Sequence, residues 1–128
     1  PGLRTYLSID GGMSDNPRPI TYQSRYTACL TDHPLVKSDE RFTIAGKHCE
    51  SGDILLHDLE LPNPRTGDVL VVFSTGAYNV SMSSNYNRIP RPSTIIVSGG
   101  QADLVQRRER PEDLLRNDVL PERFLAVS

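Results

Sequence analysis

The chain has 128 residues, with 14 Lys and Arg against 16 Asp and Glu, 37% hydrophobic residues and a formal net charge of -2. That length holds one ordinary domain around one core and excludes a two-domain enzyme. The charge balance removes nucleic acid and anionic membranes as default partners, and the longest apolar run, residues 69–73, is far short of the roughly 20 residues that a bilayer span needs.

Pro1-Gly2-Leu3 and the residues after it lack the basic flank and apolar core of a signal peptide and an initiator methionine, and read as sequence from within a longer protein. Leu3, Thr5, Leu7 and Ile9 alternate with Arg4, Tyr6, Ser8 and Asp10, the period of a half-buried strand, which Gly11-Gly12 ends. Residues 21–30, rich in Thr and Tyr, predict a second extended segment, followed by a polar connection through Asp32, Pro34 and Asp39. Short strands are expected at residues 42–45 and 54–56, on either side of a loop at 46–53. After a turn at Pro62, Pro64 and Gly67, the run Val69-Leu70-Val71-Val72-Phe73 carries the strongest buried-strand signal and is the expected core.

Ser74-Thr75-Gly76 then leads the chain into a short helix or turn at Ala77. A β run at 93–98 follows Pro90 and Pro92, and Gly99-Gly100 marks a turn. Residues 111–116 predict a helix with proline in its first turn and Glu112 and Asp113 near its positive end. Arg107, Arg108 and Arg110 are expected to be solvated or paired with Glu109, Glu112 and Asp113. No repeat, low-complexity tract or internal boundary stands out. Short strands broken by Pro and Gly, with little helix, predict a mainly β fold, an antiparallel β-sandwich or barrel, with residues 1–128 as one domain.

Three segments carry candidate chemistry. Arg18 sits between Pro17 and Pro19, which fix the backbone around it, and its planar fork suits a carboxylate, with the phenol of Tyr22 nearby; taken alone, it reads more readily as a surface arginine in a turn. Cys49 lies beside Glu50 in a glycine-bounded loop, and a neighbouring carboxylate favours the protonated thiol, so Cys49 suits proton donation better than nucleophilic attack, although a charged His48 would act in the opposite sense. A small residue packed under a loop is the alternative. Tyr78 follows the predicted buried strand where rigid scaffold meets loop, and Tyr86 comes later in Ser83-Ser84-Asn85-Tyr86-Asn87; sheet-edge packing accounts for both equally well. Cys29 and Cys49 are too few for a disulfide framework and fit a reducing cytoplasm, with one bridge left open. His33, His48 and His57 are scattered, His48, Cys49 and His57 show no recognised zinc-ligand spacing, and no metal is expected. Asn79-Val80-Ser81 matches a glycosylation sequon and is taken as chance.

Ile9-Asp10-Gly11-Gly12-Met13-Ser14-Asp15-Asn16-Pro17-Arg18-Pro19 with Tyr22, then Cys49-Glu50-Ser51-Gly52-Asp53, then Gly76-Ala77-Tyr78 through Ser83, Asn85, Tyr86 and Asn87, closely resemble in order and spacing the carboxy-terminal part of the diaminopimelate decarboxylase family. The resemblance spans nearly the whole chain. It implies the C-terminal β domain of a fold-type III decarboxylase whose pyridoxal 5'-phosphate is bound mainly by an N-terminal (β/α)8 barrel absent from this chain. It further implies decarboxylation of meso-2,6-diaminopimelate to L-lysine, in the lysine branch of amino-acid biosynthesis.

By the same resemblance Arg18 and Tyr22 grip the distal end of the substrate and Glu50 contacts its distal ammonium. Cys49 is the proton donor, and Tyr78 touches both cofactor phosphate and substrate. A cytoplasmic homodimer is implied, with each Cys49-Glu50 loop reaching the partner's site. The only lysines, Lys37 and Lys47, lack the context of a cofactor-binding lysine, so the piece alone is expected to be inactive. Two alternatives stand: a related decarboxylase acting on ornithine, arginine or carboxynorspermidine, and a non-catalytic β module that mediates assembly.

Overall fold

A computed structural model describes residues 4–125, and the chain divides into two compact units, one ending at Asn87 and the other starting at Arg88. Pro90 and Pro92 lie just past that boundary.

In the first unit β1 (Thr5–Ser8) pairs with β3 (Arg41–Ala45), which also pairs with β4 (Ile54–Glu60), giving the order β1-β3-β4. β3 is the central strand, and its Phe42, Thr43 and Ile44 are all buried, as a strand covered on both faces requires. β2 (Ala28–Leu30) and β5 (Leu70–Val72) form a separate antiparallel pair. Leu30, Phe42, Ile44, Leu55, Leu56 and Leu61 make the core, and Ala28, Leu70 and Val72 of the second sheet pack against it. The mainly β expectation therefore holds, and among the described residues the strands form three open sheets, none closed into a barrel.

Four sequence expectations are corrected. β1 and β3 run parallel, in register Thr5 with Phe42 through Ser8 with Ala45, so the unit is not wholly antiparallel. A parallel pair needs a long crossover, supplied here by the chain between Ile9 and Glu40. Thr21 and Tyr22 are not extended: they end α1 (Arg18–Tyr22), whose start is set by Pro17 and Pro19 and whose end is a left-handed Gln23. The run 69–73 is not the core. Leu70 and Val72 face inward, whereas Val69, Val71 and Phe73 are 59%, 36% and 46% exposed, because β5 is covered on one face only. Finally, the predicted strand from Leu3 to Ile9 is shorter at its ends, and Leu3 lies outside the described residues.

The chain leaves β5 through Ser74 to Ala77 into α2 (Asn79–Met82), the expected short helix. In the second unit β6 (Thr94–Ser98) and β7 (Gln101–Gln106) form a hairpin over Gly99-Gly100, both at positive φ, as a tight hairpin turn requires. α3 (Pro111–Leu115) follows as predicted, with Pro111 at its start. Both guanidinium Nη atoms of Arg107 reach Asp113, at 2.6 and 2.7 Å, and the Arg110 N–H donates to the same carboxylate at 2.7 Å. The expected pairing of the basic run is thus made by Arg107. A second fork joins Arg88 to Asp118 at 2.9 and 3.3 Å.

The Arg107 fork, and after it the Arg110 N–H, hold the Asp113 carboxyl well below the usual carboxylate range. Its contribution to stability is therefore complete above that range and is lost only as pH falls through the lowered folded value. Carbon-detected NMR titration should find Asp113 still ionised at a pH where free aspartate is largely protonated, and Arg107→Ala should move its midpoint upward. A midpoint unchanged by that substitution would show the fork to be absent in solution.

Candidate functional site

α1 explains why Arg18 and Tyr22 meet. They are four residues apart on a single helical turn, which places them on one face, and the Arg18 guanidinium carbon lies 5.5 Å from the centre of the Tyr22 ring. From the other direction Tyr78 brings its ring to 5.3 Å from the same carbon. Tyr78 adopts φ 68°, ψ -28° at the start of α2, a left-handed conformation uncommon for a bulky residue. The turn is held by the Ser81 hydroxyl, which donates to the Tyr78 carbonyl at 2.8 Å, and by the Met82 N–H, which donates to it at 2.8 Å. Arg18 is thus flanked by two aromatic rings that are themselves largely exposed. Each such contact contributes about 0.5–1 kcal/mol at a solvated site, enough to bias where the guanidinium points while its N–H groups remain available. A groove of about 490 Å³ runs beside this cluster, lined by Arg18, Tyr26, Phe73 and Tyr78 among others.

The second cluster is the loop between β3 and β4. Its anchor is Asp53, 2% exposed, at the head of β4. One oxygen accepts the Met13 N–H at 2.7 Å; the other accepts the His48 N–H at 2.9 Å and lies 2.8 Å from His48 Nδ1. A buried carboxylate needs this many partners to offset lost hydration. The backbone must come close for them to reach it, and a Cβ at Gly46 would collide with the Asp53 carboxylate, while one at Gly12 would sit 2.5 Å from His48 Nδ1 and 2.8 Å from Asp53 Oδ2. The Lys47 N–H, donating to the Gly11 carbonyl at 3.1 Å, completes the seam between the two loops.

Upon this anchor Cys49 and Glu50 project, both exposed. Cys49 is a free thiol, as is the half-buried Cys29. Its N–H donates to Asn87 Oδ1 at 3.1 Å. Glu50 Oε1 accepts the Gly52 N–H at 3.1 Å, and the Tyr86 hydroxyl lies 3.4 Å from Oε2. The Tyr86 ring stands 5.7 Å from that of His48, which is buried.

The five sequence candidates therefore fall into two groups, Arg18 with Tyr22 and Tyr78, and Cys49 with Glu50. Sequence reasoning missed the anchoring part of Asp53, although an acidic residue between glycine-rich loop and apolar strand was a usable signal. It also gave no role to Asn87, whose contact bridges 38 positions and leaves no local trace. Asn79 of the sequon is 5% exposed, which fits the chance reading of that motif. Among the described residues no three His, Cys, Asp or Glu side chains gather as a metal site, and no helix is long and apolar enough to cross a membrane.

Residues 2–76 match the sequence model of the C-terminal sheet domain of pyridoxal-dependent decarboxylases. The chain is 57% identical over 126 residues to the diaminopimelate decarboxylase of Synechocystis sp., covering 98% of the chain and 27% of that protein. Against the diaminopimelate decarboxylase of Bacillus subtilis it is 50% identical over 119 residues, covering 93% of the chain and 27% of the relative. Among solved structures, the diaminopimelate decarboxylase from M. jannaschii in complex with L-lysine superimposes with a TM-score of 0.84 at 36% identity, over 92% of this chain and 27% of that one. The chain thus spans about a quarter of the length of these relatives.

The close approach at Gly46 is testable by urea unfolding. Gly46→Ala should destabilise the chain by about 1–3 kcal/mol through forced displacement of Asp53. Gly52→Ala, whose added carbon would meet only the Glu50 side chain, at an ordinary 3.5 and 4.0 Å, should change stability by under about 0.5 kcal/mol. Equal effects would refute the anchor.

Proposed function

Since the chain belongs to the pyridoxal-dependent decarboxylases, as their C-terminal sheet domain, we propose that it is the C-terminal part of a diaminopimelate decarboxylase that converts meso-2,6-diaminopimelate to L-lysine. The observation that carries this reading is the Arg18 guanidinium held between Tyr22 and Tyr78. Diaminopimelate has a second carboxylate at its distal end, and a pre-oriented fork meets such a group with two parallel charge-assisted bonds. A substrate that ends in a bare amine offers this cation nothing.

The side chains fit a position at the rim of the cofactor rather than its seat. Tyr78 presents an exposed phenol, and Gly76 close by has open space where a Cβ would stand, which suits a contact to the phosphate. Neither lysine belongs to this cluster, and Lys47 is ion-paired with Asp15 at 3.6 Å. Pyridoxal phosphate, when bound, supplies the electron sink that makes loss of carbon dioxide feasible. This chain supplies four side chains: Arg18 and Tyr22 hold the distal carboxylate, Glu50 faces the distal ammonium, and the Cys49 thiol gives a proton to the carbon that lost its carboxyl group. Cys49 is left as thiolate and regains its proton from solvent, which its exposure allows.

The division into two groups supports a homodimer in which the Cys49-Glu50 loop of one subunit completes the site of the other. Free thiols at both cysteines suit an enzyme of the reducing cytoplasm.

Steady-state kinetics on the full-length protein test both roles. Arg18→Ala should lower kcat/KM for diaminopimelate by about 30- to 100-fold, chiefly through KM, with under about threefold loss on an analogue lacking the distal carboxylate. Equal losses on the two substrates would defeat the specificity assignment. Cys49→Ala should lower kcat by about 100-fold or more with little change in KM. Normal turnover and product stereochemistry in that variant would remove Cys49 as donor.

A further inference from the structure

We propose that Tyr86 and Asn87 are positioning residues that set the Cys49-Glu50 loop in its working orientation. This rests on the decarboxylase reading for what the loop does, but not for how it is held. Two adjacent residues address three consecutive positions of the loop: the Tyr86 ring stands 5.7 Å from the His48 ring, the Asn87 side-chain oxygen accepts the Cys49 N–H at 3.1 Å, and the Tyr86 hydroxyl lies 3.4 Å from Glu50 Oε2.

The three contacts have different jobs. His48 is buried and tied to Asp53, so the ring contact references the pair to the rigid floor of the loop. The Asn87 bond fixes the peptide from which the thiol projects, and a backbone held at Cys49 limits where its sulfur can swing. The Tyr86 hydroxyl orients one oxygen of Glu50 while the Gly52 N–H holds the other, leaving the carboxylate with a defined face toward a ligand. Asn87 reaches Cys49 from a left-handed backbone, φ 55°, ψ 21°, a conformation that asparagine tolerates better than most residues. Residue type and geometry therefore agree.

Substitutions at Asn87 separate positioning from folding. Asn87→Gly keeps the left-handed backbone and deletes the acceptor, whereas Asn87→Asp keeps both. In the full-length protein Asn87→Gly should lower kcat by about 10- to 100-fold, with Tm within about 2 °C of the parent. Asn87→Asp should recover most of that loss. Tyr86→Phe retains the ring and should act on KM for diaminopimelate, raising it about three- to tenfold with kcat changed less than about twofold.

A readout independent of turnover is the rate at which iodoacetamide alkylates Cys49, followed by peptide mass mapping with Cys29 as internal reference. Asn87→Gly should raise the Cys49 rate by at least about threefold, as expected for a released loop, and leave Cys29 unchanged. Parent-like alkylation in Asn87→Gly, or an Asn87→Asp variant as impaired as Asn87→Gly, would overturn the proposal. Should the decarboxylase reading itself fail, diaminopimelate turnover is absent from the parent protein, and the alkylation and melting measurements still decide whether Asn87 holds the loop.

Discussion

The buried Asp53 carboxylate is the constraint on which the presentation of Cys49 and Glu50 depends. One oxygen takes the Met13 N–H, and the other takes the His48 N–H and faces the His48 ring nitrogen, so a single carboxylate closes two loops that lie 40 positions apart at their contact. Leaving such a group without partners costs several kcal/mol, which makes the closed arrangement strongly preferred over any other that keeps the carboxylate buried. Gly12 and Gly46 follow from it, since no side chain fits where the backbones approach the acid and its imidazole. The residues assigned to chemistry are then free to stay exposed, because their geometry is determined from beneath.

The same separation of support from display recurs at Arg18. Its helix is only five residues long and has no buried residue of its own. What directs the cation is the pair of rings on either side, one from the same helical turn and one from the strained backbone before α2. In both clusters the sheet core of Ile44, Leu55, Leu56 and Leu61 provides rigidity, and loops provide the groups a ligand would meet.

Much of this was legible from residues alone, and the failures have physical causes. Alternation announced β1, the Gly99-Gly100 pair announced the hairpin turn, and Pro111 with its acidic neighbours announced α3. The motif residues were legible through family resemblance, and their grouping was not. α1 went unread because a five-residue helix between prolines is too short to show a 3.6-residue period. An unbroken apolar run made β5 look doubly buried, but a sequence does not reveal that one face lacks a covering layer. The parallel pairing of β1 with β3 is set by a crossover of more than thirty residues, and the contact of Asn87 with Cys49 likewise joins distant segments. Non-local contacts of this kind leave no local periodicity to read.

The aromatic flanks of Arg18 carry an entropic consequence. A free arginine side chain samples many rotamers, and immobilising it on a ligand forfeits roughly 2 kcal/mol of that freedom. Stacked between Tyr22 and Tyr78, the guanidinium has surrendered part of its disorder already, during folding. An anion that met Arg18 would then begin from a narrowed ensemble, and any discrimination would reside as much in the two phenol faces as in the charge they confine.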